Sequence, residues 1–199
     1  MELNGSVQYV YTSQSKRELT SMKTLQSPLL TCAFALSAAT AFANPSDGAK
    51  LPSVIGQTLS DTAFRIPADL PAAGSVGLLG FEPKHQPFID DWTAGLGKVQ
   101  PNLIVLKMPV IAPTNALWRN TIQFGMRRAT PEGNPRDRTV TLFTEVASFL
   151  AAVKLPGNKT PYALAVDAAG NVLATATGPF TASEGERLVK ALATPASKP

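Results

Sequence analysis

Thiol chemistry is nearly absent from this chain. Its 199 residues include one cysteine, Cys32, which lies in a stretch that reads as a cleavable leader. From Met22 the sequence runs MKTLQSPLLTCAFALSAATAFANPSDG, a lysine followed by an apolar run ending in Ala41-Phe42-Ala43. Small residues at the −3 and −1 positions before Asn44 suit a signal peptidase pocket. The apolar run, 29–43, is broken by small residues and too short to span a bilayer. Residues 1–21 are polar and carry acids, unlike the start of a signal peptide, so Met22 is the expected start; a long leader start is the alternative. A lipoprotein reading of Cys32 is disfavoured because Thr31 precedes it and the apolar run continues beyond it. The competing reading of the whole segment is a buried N-terminal helix. Cleavage before Asn44 leaves an exported, thiol-free chain, placed in the bacterial periplasm. Disulfide scaffolds, cysteine-ligated zinc and thiol redox cycles are then excluded together, although the compartment permits disulfides.

Other absences narrow the classes further. Charged residues make up 16% of the chain, with Lys and Arg at 18, Asp and Glu at 14, and a formal charge of +4. No basic run interleaves with aromatics, so no nucleic-acid partner is expected. There is one histidine, His85; without a second histidine or a thiol it is a poor start for a metal site, and neither metal nor cofactor is expected. Phosphate-binding loops, Gly-x-Ser-x-Gly elbows and His-Glu-x-x-His helices are missing. The 17 prolines are scattered and read as loop punctuation.

What remains is a chain rich enough in apolar residues, 44%, for one real core. The expected organisation is an extension and signal peptide over 1–43, a flexible leader over 44–54, one domain over 55–194 and a tail over 195–199. No membrane span is expected in the mature chain. Residues 54–71 carry short extended pieces, a peripheral strand or hairpin. SVGLLGF reads as a buried strand by its continuous apolar character. HQPFIDDWTAGLGKV follows as a helix, with Phe88, Ile89, Trp92 and Leu96 at helical spacing and Pro87 in the first turn. A second strand spans 102–111. PTNALWRNTIQFGMRRAT is an amphipathic helix with Leu117, Trp118, Ile122 and Met126 on one stripe, Asn115, Arg119, Gln123 and Arg127 on the other, and Thr114 as cap. RTVTLF is a third strand, TEVASFLAAVKLPGN a short helix, and YALAVDAAGNVLATATG a hairpin. TASEGERLVKALA closes with a helix whose capping box pairs Thr181 with Glu184, or Ser183 with Glu186. Strands separated by helical crossovers predict an α/β central mixed sheet with helices on both faces.

This order, with KTPYALAVDAAGNVLATATGPFTASEGERLVKALA as its second half, resembles the thioredoxin-like superfamily, which implies a three-layer sandwich over about 55–194. The resemblance places Pro161 where the family has its cis-proline, and Gly178 at the close of the last strand. GFEPKHQPFIDDW together with RDRTVTLFTEVASFLAAVKLP is similar to a group of bacterial exported proteins related to the mitochondrial assembly factor of the F-type ATP synthase membrane sector. The family's paired cysteines would fall near Gln86 and Ile89, so thiol oxidoreductase activity does not carry over. The resemblance implies a non-catalytic binding or assembly-factor module with a protein partner, a membrane complex.

The alternative is a small-ligand enzyme or sensor in which His85 and Glu82, with nearby arginines, act in a groove. It needs His85, an arginine and the Pro161 loop to converge. A surface histidine at a helix start is the favoured reading of His85. Arg119, Arg127, Arg128 and Arg138, with Arg136, form the main basic cluster and are the binding candidates, suited to carboxylates, phosphates or lipid headgroups. A solvated polar face is the plainer account, since Glu132 and Asp137 sit among them. Trp92 and Trp118 are expected in the core.

Overall fold

The computed structural model describes residues 48–194. The expectations about Met22, Cys32, cleavage before Asn44 and the 195–199 tail lie outside the described residues. The chain builds one seven-stranded mixed sheet in the order β2-β1-β5-β4-β3-β6-β7. Its elements are β1 (Val54–Thr58), β2 (Ala63–Ile66), β3 (Ser75–Gly80), α1 (Gln86–Val99), β4 (Val105–Ile111), α2 (Ala116–Ala129), α3 (Asn134–Asp137), β5 (Val140–Phe143), α4 (Val146–Ala152), β6 (Tyr162–Val166), β7 (Val172–Ala176) and α5 (Ala182–Ala193). A 3-10 turn, Pro83–His85, leads into α1. Strands β3, β4 and β5 run parallel, while β6 and β7 close one edge and β1 and β2 the other as antiparallel hairpins. Every residue of β3 is buried, as its continuous apolar run requires of a strand covered on both faces.

Two clusters form the core. On one face Leu106, Met108, Leu142 and Leu164 meet Phe149 and Val153 at the end of α4. On the other, Val76 and Leu78 meet Ile89, Trp92 and Leu96 of α1 and Leu188 of α5. This is the expected layering of helices over both faces. No helix among the described residues is long and apolar enough to cross a membrane.

Turn chemistry fixes the β6–β7 hairpin and the turn that follows β2. Between β6 and β7, Asp167 Oδ1 accepts the backbone N–H groups of Ala169 at 2.9 Å and Asn171 at 2.8 Å, while Gly170 takes a positive φ of 85°. After β2, Asp69 accepts the Arg65 backbone N–H at 2.7 Å and the guanidinium Nε and Nη2 at 3.0 and 2.7 Å. The Arg65 guanidinium holds the Asp69 carboxyl down to about 2. Its folded value lies below the unfolded one of about 3.9, so its contribution is present above that value and is lost as pH falls toward about 2. Asp69→Asn is therefore expected to remove part of the acid-side slope of the urea midpoint between about pH 4 and 2. An unchanged slope would count against the clasp.

The structure corrects the sequence reading at three places. The stretch 44–54, expected as a flexible leader, is anchored from Ala49 onward. Ala49 and Leu51 are buried, Lys50 bridges to Asn171, and the Leu51 N–H donates to Gly170 O at 2.8 Å. The second correction concerns Pro161. The cis peptide bond among the described residues is Ile66–Pro67, so Thr160–Pro161 is trans; a threonine-proline pair carries no local signal that overrides the ordinary trans preference.

The third is the orientation of α2. Asn115, not Thr114, caps it, accepting the Trp118 N–H at 3.0 Å. Its polar stripe faces the sheet: Gln123 is buried, Arg119 lies over the Phe143 ring at 5.0 Å, and Arg127 pairs with Asp61 at 2.5 Å. Trp118 is therefore not in the core. The cause lies in β5, where Val140 and Leu142 point into one core cluster and the alternating Thr141 and Phe143 are turned to the other face. Thr141 is fully buried with no partner for its hydroxyl. An unpaired buried hydroxyl costs stability, so Thr141→Val is expected to raise the unfolding free energy by about 1 kcal/mol, read from denaturant unfolding. A loss of stability would mean that the hydroxyl is bonded.

Candidate functional site

The junction between β3 and α1 opens on a groove of about 450 Å³ lined by Pro87, Phe88, Asp91, Thr160, Pro161, Gly178 and Pro179. Three segments far apart in sequence form it: the first turn of α1, the loop before β6 and the loop after β7. Side chains of the α1 region latch both loops. Trp92, fully buried, donates its Nε1–H to Gly178 O at 2.9 Å, and Asp91 Oδ2 accepts the Phe180 N–H at 2.8 Å. Phe180 stands edge-on to Trp92 at 5.3 Å, and Phe88 lies 5.7 Å from Trp92 on the groove side. A Cβ at Gly95 of α1 or Gly185 of α5 would collide with the Phe180 ring, so the two glycines make the slot that seats it.

His85 makes the third latch. Its Nδ1 accepts the Phe81 backbone N–H at 3.1 Å, and Nε2 faces Lys159 O at 3.3 Å. With Nδ1 accepting, Nε2 is the nitrogen placed to donate to Lys159 O. The residue is 4% exposed, so it is not the surface histidine that its place at a helix start suggested. The junction bends the chain sharply enough to fold the ring back under Phe81, which stands edge-on to it at 6.3 Å. With both nitrogens engaged, the ring has no free lone pair for a substrate. Among the described residues the convergence required for a small-ligand enzyme is not formed, since His85 reaches the Pro161 loop through Lys159 but no arginine lines the groove. Glu82 sits nearby, paired with Lys84 at 2.7 Å and Lys159 at 3.8 Å, and the hydrogen bond from Lys84 holds its carboxyl below the usual range.

At the positions where a thiol pair would fall, Gln86 donates to Asp90 at 2.9 Å and Ile89 is buried in the core. Among the described residues no three His, Cys, Asp or Glu side chains gather around a point that could hold a metal ion.

The basic residues do not meet at one point. Arg119, itself exposed, lies over Phe143 and Arg127 pairs with Asp61, whereas Arg128 stacks on Phe124 at 5.8 Å. Arg136 bonds Glu132 and the carbonyls of Thr130 and Arg127, and Arg138 is exposed beyond α3. Sequence reasoning missed Asp91 and Trp92 as loop latches. The available signal was a polar indole N–H on a stripe otherwise built for the core, which must find an acceptor when buried.

No family model matches the chain, and no curated protein matches it. Solved structures do. BsSco, a member of the Sco family of cytochrome c oxidase assembly proteins, superposes with a TM-score of 0.51 at 15% identity, over 73% of this chain and 95% of that one. A proposed electron transfer protein from Aquifex aeolicus VF5 gives 0.50 at 9% identity, over 73% and 97%. At such identities the likeness speaks for the fold, which is thioredoxin-like α/β.

Proposed function

We propose that this chain is an exported, redox-inactive thioredoxin-like module that binds a segment of another polypeptide in the groove at the head of α1, and that it serves the assembly of a membrane complex in the bacterial periplasm. The observation that carries the reading is the groove's lining. Pro87, Phe88, Pro161 and Pro179 give it an apolar floor and walls, a surface suited to an apolar peptide segment. The latches from His85, Asp91 and Trp92 fix those walls in advance, which lowers the ordering cost of binding. No cysteine among the described residues lines the groove, which suits it to holding a segment and not to thiol exchange. The assembly role rests on the similarity of GFEPKHQPFIDDW together with RDRTVTLFTEVASFLAAVKLP to the ATP synthase assembly-factor group, with the Sco likeness as a structural parallel.

A photocrosslinking amino acid in place of Phe88 tests this, with the exposed Lys98 as control position. The expected result is an adduct with a membrane-fraction protein from position 88 and none from position 98. Equal labelling at both positions, or none at 88, would overturn the reading.

A further inference from the structure

We propose that the outer face of α2 seats on an anionic lipid surface. Leu117, Trp118 and Phe124 are 74%, 58% and 60% exposed, and at positions 117, 118, 121, 124, 125 and 128 the helix presents one continuous outward side. The opposite side of the helix is directed to the sheet by buried Gln123, by Arg119 on Phe143 and by Arg127 on Asp61. Ile122 and Met126 are half-buried, so the outward apolar strip is Leu117, Trp118 and Phe124, which a second apolar phase would cover.

Charge selects the occupant. Within Ala116–Ala129 the charged residues are Arg119, Arg127 and Arg128, with no acid. Arg128 shares the outward side with Phe124, whose ring it covers, and it pairs with no carboxylate among the described residues. Two copies packed through this face would set arginine-bearing helices against each other with no acid between them, which disfavours a symmetric dimer. The face is also a single convex helix rather than a groove that would grip a peptide. Leucine, phenylalanine and an indole beside a guanidinium are the side chains of an interfacial helix, the apolar parts entering the acyl boundary and the arginine reaching the headgroups. The residues are separate from the groove, none of whose lining comes from α2.

Tryptophan emission reads this site in the full chain. There are two tryptophans, Trp92 and Trp118, and Trp92 is fully buried, so a lipid-dependent change belongs to Trp118. This matters because the apolar run at 29–43 could bind vesicles by itself. With vesicles of equal parts phosphatidylglycerol and phosphatidylcholine at low salt, emission is expected to shift to the blue and brighten. Trp118→Phe should lose the shift. Arg128→Glu, a surface change, should weaken the apparent affinity about tenfold or more, and added salt should do the same to the wild type. The absence of a shift, an equal shift with phosphatidylcholine alone, or an unchanged affinity in Arg128→Glu would overturn the proposal. So would protection of Trp118 from iodide quenching before lipid is added, since a second copy or residues 1–47 would then already cover the face.

Discussion

Trp92→Ala is expected to lower the unfolding free energy by about 3–5 kcal/mol. Trp92 is fully buried between Phe88 and Phe180 and is bonded to Gly178 O. Truncation removes the ring's dispersion contacts, leaves a cavity and strands a carbonyl. Domains of this size are stable by roughly 5–15 kcal/mol in total, so the variant should sit near its unfolding threshold at physiological temperature. Trp92→Phe separates the parts: it keeps much of the ring packing and loses the N–H, for about 1–2 kcal/mol. Denaturant melts of the three proteins check the order. A cost below about 1 kcal/mol for the alanine variant would mean that the slot collapses around the missing ring.

His85→Leu carries the second large effect, and it has a chemical control. The leucine fills the buried space but strands the Phe81 N–H and leaves Lys159 O without its partner. Each buried group left unpaired costs about 1–3 kcal/mol. Lys159 is exposed and its carbonyl can turn to water, so most of the loss belongs to the Phe81 N–H. His85→Asn places an amide oxygen near the Nδ1 position and should recover much of the stability. His85→Gln reaches toward Lys159 with its amide nitrogen and should recover less. The expected ranking is wild type, Asn, Gln, Leu, by denaturant midpoint. A leucine variant as stable as wild type would remove the latch, and an equal loss in all three would deny the Phe81 bond its leading part. Loss of crosslinking at position 88 should follow the same ranking.

The element order was legible because it depends on local signals. Periodicity gave α1 and α5, an apolar run gave β3, and Asp167 to Asn171 gave the last hairpin. Thr181 caps α5 as expected, accepting the Glu184 N–H at 3.2 Å, although the Glu184 side chain turns instead to Arg187 at 2.6 Å. The groove was legible only in part. Its first wall is the strand-to-helix junction that the sequence marks, but Asp91–Phe180 and Trp92–Gly178 join residues far apart in the chain, and no periodicity encodes such a pair. His85 was misplaced for a related reason: its position at a helix start says nothing about a backbone N–H waiting beneath it. The case of α2 is different in kind. Its stripes were identified, yet the rule that the apolar stripe faces inward presumes an apolar surface beneath. Phe143 and Asp61 take Arg119 and Arg127 there instead, and Leu117 and Trp118 of the apolar stripe are left outside while Ile122 and Met126 stay half-buried.

The Phe180 ring, seated between Gly95 and Gly185, ties the spacing of α1 and α5 to the mouth of the groove, since Pro179 is its neighbour in the chain. A side chain introduced at either glycine must displace that ring, and the displacement arrives at the wall of the groove. Helix spacing and the width of the groove mouth are thus one inherited variable in this protein. A lineage that altered the fit of the two helices would reshape the groove in the same step.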